Sequence, residues 1–259
     1  MATITRRTLA QWGKVVSTAR YLVHGCNSHL HTGHGNEGGL EKLSRREYWQ
    51  VKYKEQTETF DWFVSDDAIP GLACHCLFNV AAKKDFSKTP DAMHARIDPV
   101  NVLDLGCGQS VLPLRFYEWT PFPVGVHCLD YVEEAVDFQL QTLKATWPGH
   151  RQSYVSGVCA SVCSLPYKSD LFHVVTDKGT MDALLKDPVS GSTKAKEMLS
   201  EVERVLRKDG LFMQITDEDP DSRMYFLETH SPSTCQWRFS ILTDSNQCDR
   251  EIFAYTFCK

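Results

Sequence analysis

Short apolar runs alternate with stretches of helical periodicity along most of this chain. Val100–Leu105 reads as a buried strand stopped by Gly106-Cys107-Gly108. Val124–Leu129, closed by Asp130, reads as a second strand, Ser153–Gly157 as a third, Leu171–Thr176 as a fourth and Leu211–Thr216 as a fifth. Between them the spacing predicts helices over Ser110–Trp119, Val132–Thr146 and Lys194–Leu206. The second carries an apolar stripe of Val132, Ala135, Val136, Leu140 and Leu143. The third carries Met198, Leu199, Val202 and Val205 and ends at Asp209-Gly210. Strand alternating with helix predicts an α/β fold, a parallel sheet covered on both faces. Trp237–Leu242 and Glu251–Phe257 follow with no helix between them, which predicts an antiparallel hairpin at one edge. Upstream, Glu41–Lys54 reads as a charged helix with Tyr48, Trp49 and Tyr53 on an aromatic face, and residues 68–82 as another helix. There is no internal repeat and no second apolar core, so residues 39–259 are expected to form one domain behind a leader, residues 1–38.

Charge changes the picture at the N-terminus. Met1–Asn36 contains no carboxylate but holds Arg6, Arg7, Lys14 and Arg20 among hydroxyl and small residues. Wound as a helix, it gathers Leu9, Trp12, Val15, Val16 and Ala19 on one side. That composition fits a mitochondrial transit peptide; a mildly basic tail is the alternative. The whole chain of 259 residues carries a net charge of −5, which argues against a partner held by phosphate neutralisation, so no nucleic acid is expected. No apolar window is long enough to span a membrane. Ten scattered cysteines, with a CxC at Cys74 and Cys76 and a CxxxC at Cys159 and Cys163, suit reduced thiols; Cys159 and Cys163 read as packing residues. His24, Cys26, His29, His31 and His34 match no tetrahedral zinc spacing, so a linker is expected there and no metal.

The glycine turn carries the candidate chemistry. A dinucleotide fingerprint needs a third glycine, and Val111 stands in its place. What remains is a strand with Asp104, the turn Gly106-Cys107-Gly108, a helix, and Asp130 closing the next strand roughly twenty residues on, a reach that suits hydrogen bonds to ribose hydroxyls. This describes an S-adenosylmethionine site better than a nicotinamide site, although a tight turn in any α/β fold has the same form. The fourth strand runs into a loop carrying Asp177, Lys178 and Asp182, at the sheet edge where ligands bind in such folds, expected to wall off cofactor from acceptor.

Asp177-Lys178-Gly179-Thr180-Met181-Asp182-Ala183 resembles the DKGTxDA signature of a group of seven-strand protein-lysine methyltransferases whose members modify elongation factor 1-alpha or citrate synthase. Tyr48-Trp49, Tyr53 and Thr59-Phe60-Asp61-Trp62-Phe63 are similar to that group's N-terminal cofactor cover. Leu206-Arg207-Lys208-Asp209-Gly210-Leu211 is similar to its segment ahead of the fifth strand. Asp217-Glu218-Asp219-Pro220-Asp221 resembles its mitochondrial members that act on citrate synthase. The resemblance runs from about Tyr48 to the C-terminus.

It implies a Rossmann-like class I fold and S-adenosyl-L-methionine as cofactor, without metal. By position, Trp49, Tyr53 and Trp62 would cover the cofactor, Asp104 and Gly106 would lie beneath it, and Asp130 would hold the ribose. Tyr131, Ser161 and Val162 would flank the adenine, with Asp177 and Lys178 contributing from the fourth strand. Asp182, Asp217, Glu218 and Asp219, with Asp177, are substrate-side candidates; no general base is named. Ser161 stands where the group usually has an acid, which implies weaker adenine binding. The implied activity is methyl transfer to a lysine of citrate synthase in the mitochondrial matrix; the sequence does not give the oligomeric state, and a monomer is the expectation. The alternatives are a cytosolic enzyme acting on elongation factor 1-alpha and a non-catalytic cofactor-binding protein.

Overall fold

A computed structural model describes residues 39–56, 58–64, 71, 73, 76–77, 98–118, 120, 122–231, 235–242 and 251–259. The leader and the His24–His34 tract lie outside the described residues. So does most of the helix expected over 68–82; Gly71, Ala73, Cys76 and Leu77 are described, and all four are helical.

Seven strands form one sheet: β1 (Val100–Leu105), β2 (Val124–Asp130), β3 (Tyr154–Cys159), β4 (Phe172–Lys178), β5 (Leu206–Thr216), β6 (Arg238–Leu242) and β7 (Ile252–Cys258). Their order is β3-β2-β1-β4-β5-β7-β6. The first five run parallel, and β7 lies antiparallel between β5 and β6. The fold is that of the seven-strand methyltransferases expected above. Because β1 lies between β2 and β4, the connections leave β1 to both sides, and their C-terminal ends form a switch point where a ligand crevice opens.

Helices with bounds among the described residues are α1 (Arg46–Glu55), α2 (Leu112–Glu118), α3 (Glu133–Ala145), α4 (Thr180–Leu185), α5 (Gly191–Val205) and α6 (Pro220–His230). The sheet is apolar on both faces, which is why its central strands read as continuous apolar runs. Val100, Val102, Met213 and Ile215 pack on one face with Leu112 and Phe116 of α2. Leu103, Leu105, Phe212 and Tyr255 pack on the other, against the α5 stripe of Ala195, Met198, Leu199, Val202 and Val205.

Several boundaries differ from expectation. The helix expected over Glu41–Lys54 is a 3-10 turn, Glu41–Ser44, followed by α1, because Arg45 is extended at φ −99° and ψ 130°. The fourth strand continues to Lys178, so Asp177 and Lys178 stand on the sheet, and Asp182 stands on α4 rather than in a loop. Helix α5 passes directly into β5, with Asp209 left-handed at φ +63°. The acidic segment from Asp217 to Asp221 leads into α6, where Asp219 is the N-cap and Pro220 opens the first turn. Cys159 is exposed at the end of edge strand β3, so only Cys163 of that pair packs on the core.

Candidate active site

The crevice at the switch point is a cleft open to solvent, with about 640 Å³ of empty space between its walls and at its mouth. Its floor is the turn after β1. Gly106 and Gly108 are left-handed, at φ +60° and +47°. A Cβ on Gly106 would stand 1.9 Å from Thr180 Oγ1, and one on Gly108 would stand 2.8 Å from the Tyr53 hydroxyl. Both glycines are therefore demanded by the protein itself, one by the helix after β4 and one by the cover above. Beneath the turn, the buried Gln139 of α3 donates from Nε2 to the carbonyls of Gly108 (3.1 Å) and Ser110 (2.8 Å).

One wall is the end of β2. Asp130 is 2 % exposed and borders the cleft. It accepts from the Gly108 amide (3.0 Å) and the Val132 amide (2.9 Å), which lock the carboxylate in place. Burial outweighs these bonds and raises its pKa to about 6. Tyr131, Ser161 and Val162 continue this wall. Ser161 Oγ already accepts from the Cys163 amide at 3.2 Å.

The opposite wall is an aromatic strap. Trp49 of α1 stacks on Tyr53 (5.5 Å, 29°) and meets Trp62 edge-on (6.2 Å, 70°). Trp49 Nε1 donates to the Leu43 carbonyl at 2.7 Å, fastening the 3-10 turn. At the other end of α1, Gln109 Nε2 donates to the Gln56 carbonyl at 2.8 Å, and the Phe60 amide donates to the Gln109 carbonyl at 2.9 Å. Asp61 pins the strap to the sheet. It pairs with Lys178 Nζ at 2.6 Å, with both side chains buried, and accepts from the Ser110 hydroxyl (2.5 Å) and the Val111 amide (2.9 Å).

A smaller adjoining space of about 320 Å³ shares Tyr53, Trp62, Gly106 and Lys178 with the cleft and adds Asp104 and Gln109. Asp104 accepts from Thr176 Oγ1 at 2.7 Å, and burial raises its pKa to about 7. A desolvated carboxylate bordering an open space is a ready partner for a cationic ligand group.

Of the residues expected around the cofactor, Trp49, Tyr53, Trp62, Gly106, Asp130, Tyr131, Ser161, Val162 and Lys178 share the cleft wall, and Asp104 borders the adjoining space. Asp177 borders neither. It is fully buried beneath α4, accepting from Gln214 Nε2 (2.9 Å) and the Thr180 amide (2.9 Å), and burial raises its pKa to about 7. Asp182 is half-buried on α4. Its Oδ1 accepts from Arg223 Nη2 (2.5 Å) and Thr216 Oγ1 (2.8 Å), tying α4 to α6 and β5, while its Oδ2 has no hydrogen-bond partner among the described residues. Asp219 is likewise engaged as the α6 cap, taking the Asp221 and Ser222 amides. Asp217 is exposed and Glu218 half-buried at the end of β5.

Sequence reasoning missed three anchoring residues, Asp61, Gln109 and Gln139. A carboxylate set among Phe60, Trp62 and Phe63 was the one available signal, since such a position demands a partner. Among the described residues, no cluster of three or more histidines, cysteines or carboxylates could hold a metal.

Residues 98–247 match the family model described as "Methyltransferase domain". The chain is 34% identical over 181 residues to the human protein named citrate synthase-lysine N-methyltransferase CSKMT, mitochondrial, covering 67% of this chain and 68% of that one. It is 30% identical over 196 residues to the Danio rerio protein of the same name, covering 72% of each. Among solved structures, N-methyltransferase NodS from Bradyrhizobium japonicum, in complex with S-adenosyl-L-homocysteine, superposes with a TM-score of 0.55 at 11% identity. That match covers 82% of this chain and 98% of NodS, a likeness of fold.

Proposed function

We propose, from the premise that this chain belongs to the citrate synthase-lysine N-methyltransferase family of S-adenosyl-L-methionine-dependent methyltransferases, that it methylates a lysine of citrate synthase in mitochondria. The observation that carries the reading is one cleft in which a buried carboxylate, a left-handed glycine turn and an aromatic strap face one another. The relatives' names supply the protein substrate and the compartment; the finer location, the matrix, follows from a leader of transit-peptide composition. In this reading residues 1–38 are that leader and residues 39–259 the catalytic domain.

The residues present fit the cofactor. Asp130 would accept from ribose hydroxyls, since each oxygen keeps a lone pair beyond its amide bond. Asp104 would meet the α-ammonium of the methionyl part, with Gly106 beneath it and Lys178 at its side. Trp49, Tyr53 and Trp62 would exclude water from one side. Tyr131, Val162 and Leu184 would enclose the adenine by shape, because Ser161 Oγ is partly committed to Cys163. Asp177 would act from below by holding α4, and hence Thr180 and Ala183, against the cleft.

S-adenosyl-L-methionine, when bound, supplies an electrophilic methyl group on a sulfonium. The protein's task is then alignment, which can provide roughly 7–11 kcal/mol. The acceptor lysine titrates near 10.4 in water and must arrive neutral. Removal from water in a partly apolar channel lowers that value by disfavouring the charge, and the proton can pass to solvent before the side chain is enclosed, so no dedicated base is needed. Asp217 and Glu218 at the end of β5 would draw the cationic side chain toward the mouth.

The test uses the chain from Gly38 onward with methyl-labelled S-adenosyl-L-methionine, offering citrate synthase and elongation factor 1-alpha in parallel. Intact mass is expected to rise in methylene steps on citrate synthase alone. Labelling of the elongation factor alone would overturn the substrate, and donor binding without labelling of either would overturn the catalytic reading.

A further inference from the structure

Lys52 occupies an unusual place. Its ammonium lies 3.9 Å from the ring centroid of Phe60, 5.0 Å from that of Trp62 and 5.2 Å from that of Trp49. Phe60 and Trp62 stand at 87° to each other, and Trp49 and Trp62 at 70°, so the three rings form an open box around one cation. Among the described residues this lysine has no carboxylate partner. It is half-buried, and burial together with the nearby charge of Lys42 lowers its pKa. An apolar side chain would fill the same position without desolvating a charge. The ring faces are what compensate it, and cation–π attraction is strongest where water is excluded.

The box joins the two halves of the strap. Trp49 and Lys52 belong to α1, whereas Phe60 and Trp62 belong to the segment pinned by Asp61. Lys52 borders neither the cleft nor the adjoining space, but Trp49 and Trp62 line the cleft. The cation therefore acts from behind the wall, on the rings that form it.

We propose that Lys52 is a positioning residue for the methyl donor, a cationic pin that holds Trp49, Phe60 and Trp62 as one aromatic wall over the donor cleft. The inference rests on the cofactor reading above. Without the pin, α1 and the Phe60–Trp62 segment keep the edge contact of Trp49 with Trp62 but lose their shared cation, and the wall must be ordered further by the donor when it binds. The loss then falls on donor affinity, while chemistry and acceptor binding, set at the ends of β4 and β5, are left alone.

The experiment compares Lys52→Met, which keeps length without charge, with Lys52→Arg, which keeps the charge. Donor affinity is read by calorimetry with S-adenosyl-L-methionine, and turnover with citrate synthase. Lys52→Met is expected to raise the donor Kd and KM about tenfold. Its kcat and acceptor KM should stay within about twofold of the parent, and tryptophan emission should shift as Trp49 and Trp62 lose the cation. Lys52→Arg should restore donor affinity to within about twofold. Unchanged donor affinity in Lys52→Met would overturn the proposal. So would an arginine variant as weak as the methionine one, or a weakening that tracks lost thermal stability. Methylation of Lys52 itself, seen by intact mass and peptide mapping after turnover, would also overturn it by making the lysine an acceptor. If the parent chain fails to bind the donor, the cofactor reading is what fails.

Discussion

The carboxylates on the two sides of the switch point are used in opposite ways. On the β1–β2 side, Asp104 and Asp130 are buried yet border open space, held by Thr176 and by main-chain amides that leave lone pairs free. On the β4–β5 side, Asp177 is bound by the protein's own Gln214, and Asp182 gives one oxygen to Arg223 and Thr216. In the proposed function the donor half would be a preformed ligand site and the acceptor half a braced scaffold. A cofactor of fixed shape can be met by buried groups on strands. In the proposed function a lysine carried by another folded protein would be met at a surface, where Asp217 is exposed and Glu218 half-buried at the end of β5.

The largest expected effect tests the scaffold side. Arg223→Leu leaves Asp182 buried without its cation and should cost about 3–5 kcal/mol of unfolding free energy, measured by urea denaturation. The double variant Arg223→Leu/Asp182→Leu removes both charges and should recover most of that loss. A rise in acceptor KM in a stably folded double variant would break the comparison, by making Asp182 a substrate contact after all. Next comes Asp130→Ala on the donor side. Two hydrogen bonds to a charged group are at stake, so donor affinity should fall at least about 100-fold by calorimetry. Unchanged affinity would overturn the ribose assignment. Gly106→Ala should then cost about 2–3 kcal/mol, through its left-handed backbone and its collision with Thr180. Adding Thr180→Ala should relieve the collision but not the backbone term, so the two changes should be non-additive.

The same division explains what could be read without coordinates. Strands β1, β2 and β4 are apolar on both faces, and Asp130 closes β2 where the spacing put it. The glycine turn was legible too, but for a different reason. Thr180 and Tyr53 demand those glycines, and both are distant in sequence. The acceptor half was harder. Asp219 and Pro220 form a recognisable helix start, yet the run from Asp217 to Asp221 looks like a solvated loop because its charges outnumber its caps. Helix α6 adds little periodicity, since Leu227 is buried while Tyr225 beside it in the same turn is exposed. The Asp182–Arg223 and Asp61–Lys178 pairs join segments far apart in the chain, and charge pattern along a sequence does not specify such partners.

A smaller effect separates the halves by pH. Burial raises Asp130 to about 6 and Asp104 to about 7, above the roughly 3.9 of an unfolded aspartate. The folded chain therefore binds these protons more tightly than the unfolded chain does. Their contribution to stability is fully present below about pH 4 and is lost as pH rises through 6 to 7. Asp177, raised to about 7, acts in the same direction. Without donor, the melting temperature should be a few degrees higher at pH 5.5 than at pH 8. The donor favours the charged forms of Asp104 and Asp130 but has no contact with Asp177. The melting shift it produces should therefore grow from pH 5.5 to pH 8, leaving a residual acid preference due to Asp177. A shift independent of pH would remove both donor-side carboxylates from the site.

The smallest effect belongs to the surface acids. Asp217→Asn and Glu218→Gln each neutralise one charge where screening is strong, so each should raise the acceptor KM by no more than about threefold, with donor KM and kcat unchanged. Raising the salt from low to physiological ionic strength should weaken acceptor binding in the parent and narrow its gap to the Asp217→Asn/Glu218→Gln double variant, because screening removes what the substitutions remove. Steady-state titration of citrate synthase at the two ionic strengths measures this. A salt response as steep in the double variant as in the parent would move the attraction elsewhere on the acidic body of the chain. An effect on donor KM would mean that the two halves of the site are coupled through β5.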